Sequence, residues 1–212
     1  MTSRVSVEQY VAGMASSPWA ACAPLEPWLW VAQVAERVRE LLARLAHDEF
    51  DIADDVAVHR SASVEGGAVL KGPLILGPRC WVASGAYLRG GNWVAEDCTI
   101  GPGAELKSSF VFAGTKLAHF NFVGDSVLGS GVNLEAGSIV CNHRNERADK
   151  EIVVVHDGVP HRTGVSKFGA LIGDHCRIGA NAVLAPGALL PAGTVVGRTQ
   201  LVDQEARARH AG

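Results

Sequence analysis

Arg89 and Lys107 stand eighteen residues apart, and His119 follows a short way downstream. Fixed cations suit an anion such as a phosphate, and a guanidinium can grip two of its oxygens at once. A histidine titrates near neutral pH and can take a proton from an amine about to act as a nucleophile, a step that contributes roughly 10²–10⁴-fold. Further on, Glu135-Ala136-Gly137 reads as a corner that could offer a backbone N–H to a developing oxyanion. Asn133 and Asn142 flank that corner, and Lys150, Arg162 and Lys167 lie in a charged stretch beyond it. Taken singly, each has a plainer reading. A lone histidine or asparagine is usually a turn or surface residue, and a charged loop is usually just solvated. What matters is whether the fold gathers them.

The elements that must do so are announced by a six-residue beat. Val58, Val64, Leu70, Leu76, Val82, Leu88, Val94, Ile100, Leu106 and Phe112 are all apolar, and the beat returns from Ile172 through Val202. A period of six fits neither a helix nor an alternating strand. It marks a hexapeptide-repeat β-solenoid, in which each hexad supplies a short strand and a turn. With three hexads to a coil, Arg89 and Lys107 stack one above the other on the same edge as an anion clamp. The beat breaks twice. After Phe112 its phase slips, and Phe122, Leu128, Leu134 and Val140 carry a beat offset by four, which predicts a short insertion or loop around 113–121. A longer excursion is predicted over about 141–169, where the β-like run Ile152 to Val155 precedes the hairpin signal Asp157-Gly158. Solenoids place function in such departures, and these two hold His119 and Asn142.

Residues 1–50 are compositionally separate. Val34, Val38, Leu41, Leu42 and Leu45 recur at helical spacing, with Glu40 and Arg44 as an i,i+4 pair, and Pro18, Pro24 and Pro27 divide this helix from a shorter one near Val5 to Gly13. Trp19, Trp28 and Trp30 precede the long helix. The expectation is a helical cap over the open first coil, or a docking region; the solenoid then spans 51–203, and 204–212 is a charged tail. A net charge of −3 without a dense basic cluster argues against nucleic acid. The absence of a spanning apolar run or an export signal argues against a membrane and for the cytoplasm. Five cysteines without ligand spacing fit a reducing compartment, with Cys80 and Cys98 stacked as small core residues rather than bridged.

The stretch LRGG at Leu88 to Gly91, ELK at Glu105 to Lys107, TKLAHFNFVGDSVLGSGVNLEAGSIVCN from Thr115 to Asn142, and RTGVSKFGALIGD from Arg162 to Asp174 resembles the acetyltransferase half of bifunctional N-acetylglucosamine-1-phosphate uridyltransferases. It looks closest to sugar-1-phosphate nucleotidylyltransferases with a fused acetyltransferase domain. The resemblance implies a left-handed parallel β-helix, a homotrimer, acetyl-CoA as cosubstrate and an amino-sugar-1-phosphate as acceptor, with no metal required. It puts His119 on the family's catalytic base and Arg89 and Lys107 on its sugar-phosphate grip. Asn133 and Asn142 fall on residues that orient the sugar and the base, and Ala136 on a backbone contact to the coenzyme. Lys167, from its charge and place in the excursion and not from the resemblance, is a candidate for the coenzyme phosphates. Phe122, in the substrate-binding set, replaces a family tyrosine, and His143 often another. The nucleotidylyltransferase signature of the LxAGxGTR kind is absent, so the chain is not expected to make a nucleotide sugar itself, and a separate nucleotidylyltransferase is one candidate partner.

Three other readings share the repeat. A γ-type carbonic anhydrase would use histidines such as His156 and His161, which lie outside the hexads. A second is a hexapeptide acyltransferase taking its acyl group from acyl carrier protein onto a nucleotide sugar. The third is a catalytically silent assembly module, which the change at Phe122 would suit.

Overall fold

The computed structural model describes residues 4–210. The chain winds into a β-solenoid of triangular section, a left-handed parallel β-helix in which nearly every strand pairs in parallel with the strand one coil away. The first face is built by Val56–His59, Leu74–Leu76, Val127–Leu128, Ala170–Ile172 and Ala188–Leu190. The second is a seven-stranded sheet running from Ser63–Val64 to Val195–Val196. The third includes Val69–Leu70, Phe122–Gly124, Ile139–Val140, Val183–Leu184 and Leu201–Val202. Two long strands, Tyr87–Val94 and Glu105–Val111, turn the corner from the third face to the first. Each hexad points one apolar side chain inward, and the rows Leu76, Val82, Leu88, Val94, Ile100 and Leu106 fill the interior at 0–1 % exposure. The five cysteines are free thiols, and Cys80 and Cys98 donate to the backbone carbonyls of Ala95 and Phe112.

The first break in the beat is a deletion, not the insertion predicted around 113–121. Val58 pairs with Leu76 and Leu76 with Val94, a coil of eighteen residues. Arg89 pairs with Lys107 at that spacing, but Asn92 then pairs with Ser109, so Gly90 and Gly91 in one coil are matched by Ser108 alone in the next. One coil later Gly124 pairs with Lys107 and Val127 with Phe110, leaving Asp125 as the single corner residue. Each shortening moves the interior row back by one. Val111 and Val123 therefore fill the core, while Phe112 and Phe122 face outward. Ser108 and Asp125 take positive φ (49° and 47°) to turn so tightly. Side chains replace the backbone ladder there: Ser109 N–H donates to Asn92 Oδ1, Ser126 N–H to Ser109 Oγ, and Ala170 N–H to Ser126 Oγ.

The N-terminal region lies along the first face and does not cap the first coil. Ala57, Ile75, Trp93, Phe110, Val127, Leu171 and Leu189 form an outward apolar column, all of it buried, with the excursion hairpin covering its Leu189 end. Trp30 stacks on Phe110 with ring centroids 3.9 Å apart, Trp19 meets Trp93 and Phe110 edge-on, and Trp28 meets Phe168. Helices α1 (Pro27–Ala32) and α2 (Val34–Leu42) follow short 3-10 turns at Val7–Gln9, Ala12–Ser16 and Ala20–Cys22, in place of the helix expected near Val5 to Gly13. Gly91 is where α2 comes closest: a Cβ there would sit 2.8 Å from the Ala35 Cα, and its φ of +96° disfavours any side chain. Glu40 pairs with Arg37 at 3.3 Å, while Arg44 turns to the Glu40 carbonyl.

The excursion leaves the third corner after Cys141 and returns at Gly169. It carries an antiparallel hairpin, Val153–His156 with Val159–Arg162, and is tied to the C-terminal helix α3 (Gln204–His210) through Arg144 and Arg147.

Candidate active site

The third corner gathers four of the predicted residues. Arg89 and Lys107 are direct neighbours across adjacent strands. Asn142 arrives from the first residues of the excursion, and its amide would crowd any Cβ at Gly124, as would the ring of Phe122. The two cations are not free. Arg89 pairs with Glu105 at 2.7 Å and lies over the Tyr87 ring, 5.7 Å from its centroid. Lys107 is deeper, and its ammonium donates to both oxygens of Asp125, at 2.9 and 2.7 Å. The sequence reading missed both counter-charges. Their signal was opposite charge at about one coil of separation, a spacing that also sets the surface pair Arg79 and Asp97.

The second corner, between the second and third faces, holds His119 and Ala136. His119 is exposed there, and its carbonyl accepts the Gly137 N–H at 2.9 Å while its own N–H donates to Asn121 Oδ1 at 3.1 Å. Gly137 is thereby spent, and the Ala136 N–H is the corner donor with no partner among the described residues. Glu135 accepts from the Ala180 N–H at 2.9 Å and from Arg198 at 3.0 Å, and these bonds hold its carboxyl below the usual range. A cleft of about 270 Å³ runs beside it, lined by Asn133, Glu135, Arg177 and Arg198 among others. Asn133 projects from the second face into this cleft. Lys167 is exposed at the end of the excursion.

The predicted residues therefore divide. Arg89, Lys107, Asn142 and the flanking Phe122 share the third corner, whereas His119 and Ala136 share the second. The strands Phe122–Gly124 and Ile139–Val140 lie between the two groups within one chain. His143 stands beside Asn142 with Nδ1 3.1 Å from the Ser166 carbonyl. His156 and His161 face each other on the hairpin with ring centroids 6.4 Å apart, and no group of three or more His, Cys, Asp or Glu suited to a metal occurs among the described residues. No helix among them is long and apolar enough to cross a membrane.

The repeat defines the fold class: a left-handed parallel β-helix built from hexapeptide repeats. Known proteins are similar to it over part of their length. No family model matches the chain. The bifunctional protein GlmU of Methanococcus vannielii is 34 % identical over 120 residues, 57 % of this chain and 28 % of that protein. The bifunctional sugar-1-phosphate nucleotidylyltransferase/acetyltransferase of Sulfurisphaera tokodaii is 33 % identical over 140 residues, 66 % of this chain and 34 % of that protein. The chain thus spans about a third of the length of the curated relatives it matches. Among solved structures, an Arabidopsis UDP-N-acetylglucosamine acyltransferase aligns with a TM-score of 0.38 at 19 % identity, covering 68 % of this chain and 58 % of that one.

Proposed function

We propose that the chain is an acetyl-CoA-dependent N-acetyltransferase acting on an amino-sugar-1-phosphate, as a stand-alone counterpart of the acetyltransferase part of its bifunctional relatives. The observation that carries this reading is the third corner, where Arg89, Lys107 and Asn142 converge next to Phe122. Arg89 is the arm that meets phosphate. Its pair with Glu105 is partly exposed, and pairs of that kind are worth only about 0–1 kcal/mol, so a phosphate dianion competes for the guanidinium. His119 takes the proton that leaves the amine as its nitrogen attacks the thioester carbon, and the coenzyme departs as the thiol. The free Ala136 N–H faces the charge that develops on the thioester oxygen. Asn133 and Lys167 contact substrate and coenzyme at the margins.

Because His119 and Lys107 occupy different corners, a single chain holds two half-sites. A homotrimer, in which the second corner of one copy faces the third corner of the next, supplies a complete site between copies. A cytoplasmic setting suits the free thiols. Release of free thiol from acetyl-CoA with glucosamine-1-phosphate tests the reading, and His119→Ala should lower kcat by about 10²–10⁴-fold in folded protein. Turnover only of a nucleotide-linked amino sugar with an acyl carrier protein would replace it with the alternative acyltransferase reading. No thioester consumption with any amino sugar would leave an assembly module.

A further inference from the structure

Asp125 is where three parts of the chain meet. It is the single corner residue of its coil, and its place in the winding is the one that the excursion fills one coil later. The main chain of Asp125 donates to the Lys107 carbonyl and accepts the N–H of Gly169, both at 2.8 Å. Its carboxylate accepts from Lys107 Nζ and from Asn142 Nδ2. Asn142 and Gly169 are the two ends of the excursion, so one residue holds both. The side chain is only 12 % exposed.

The chemistry of this contact fixes more than position. A carboxylate can only accept, so Asn142 must turn its NH2 group toward Asp125. The amide oxygen is left facing away, and it has no hydrogen-bond partner among the described residues. An outward oxygen accepts an N–H and repels a phosphate. Had the amide been turned the other way, the preference would be reversed. The backbone bonds alone are enough to close the corner, and the carboxylate is spent on two side chains that the proposed site uses.

We propose that Asp125 is a positioning residue, which through its carboxylate aims the Asn142 amide oxygen at the acceptor amine while its charge is shared with Lys107. This rests on the amino-sugar-phosphate reading of the same site. Asp125 itself touches no reacting atom.

Asp125→Asn is the test variant, because asparagine keeps the shape and tolerates the positive φ. One amide oxygen replaces two anionic ones and cannot hold both donors. With acetyl-CoA and glucosamine-1-phosphate, kcat should fall about 10- to 100-fold. KM for the sugar phosphate should stay level or drop, since Lys107 loses its counter-charge. A merely structural role would lower the folded fraction and leave the kcat of the folded enzyme intact, and that result overturns the inference, as does a rise in KM at unchanged kcat. A second measurement needs no turnover. Hydrogen exchange of the Asn142 side-chain amide in ¹⁵N-labelled protein should be slow in the wild type and about tenfold faster in Asp125→Asn, following the loss of its buried acceptor. Equal exchange rates overturn the inference. If the wild type acetylates no amino-sugar phosphate, the activity reading fails by itself, and the exchange measurement still decides whether Asp125 orients Asn142.

Discussion

Arg144 lays its two terminal nitrogens against the carboxylate of Asp203, at 2.8 and 2.9 Å, and so pins the excursion to the last coil of the solenoid. The same guanidinium donates to the Pro186 carbonyl and approaches Glu205, which Arg147 also holds at 2.7 Å. Hydrogen bonding to Arg144 keeps the Asp203 carboxyl below its usual range. Arg144→Leu strands the Asp203 carboxylate in a largely buried place, while Arg147 keeps Glu205, and should cost about 3 kcal/mol in urea unfolding. Asp203 is depressed in the folded state, so its stabilisation is complete above the unfolded carboxyl pKa of about 4 and is lost as pH falls through the lower folded value. An unfolding series from pH 6 to pH 2 should show that loss in the wild type and a flatter profile in Asp203→Asn.

The stack of Trp30 on Phe110 should dominate attachment of the N-terminal region. Trp30→Ala removes a fully buried side chain and should cost about 3–5 kcal/mol. Gly91→Ala should do similar damage from the other side, since its Cβ would meet the α2 backbone at Ala35. Thermal unfolding followed by tryptophan fluorescence reads both.

Glu105 restrains Arg89 before any ligand arrives. Arg89→Ala should raise KM for the sugar phosphate about tenfold with little change in kcat, the pattern of lost ground-state binding. Glu105→Gln should lower that KM, because the guanidinium is released. Steady-state kinetics at fixed ionic strength separates the two, and a rise in KM for Glu105→Gln would show that Glu105 aligns Arg89 more than it competes for it.

The thiols should be quiet in the native state. Burial raises Cys22, Cys141 and Cys176, and the neighbouring Cys80 together with burial raises Cys98. Cys80 shifts the other way through Cys98, but it is 1 % exposed. Labelling with a disulfide reagent should be slow for all five until denaturant is added, and a fast native phase at Cys80 would contradict this packing.

The solenoid was legible because its interior rows repeat one chemical demand at a fixed spacing. The stacking of Arg89 over Lys107 followed from the same count. The count failed by one residue at Ser108 and again at Asp125, because an apolar residue lies next to the true inward position at both Val111-Phe112 and Phe122-Val123. Hydrophobicity alone cannot choose between such neighbours, and the Phe112 beat was therefore carried one position too far. The place of the N-terminal region was hidden for a related reason. Its docking column, from Ala57 through Trp93 and Phe110 to Leu189, is written in residues that also suit strands. The pairings of Lys107 with Asp125 and Arg89 with Glu105 were within reach of a search for opposite charges a coil apart. The separation of His119 from Asn142 was not. Sequence order put both in breaks of the repeat, whereas the winding puts the shortening at Ser108 and the excursion on the same third corner and leaves His119 at the second, outside either break.

A three-sided prism with three similar sides could meet its neighbours in several interchangeable ways. Here the tryptophan-laden segment permanently occupies one side, so any lengthwise association is left with the two that remain. The choice is made by the chain's own folding, before a second molecule is encountered. The segment that looked like a lid over one end thus gives the prism a back and a front.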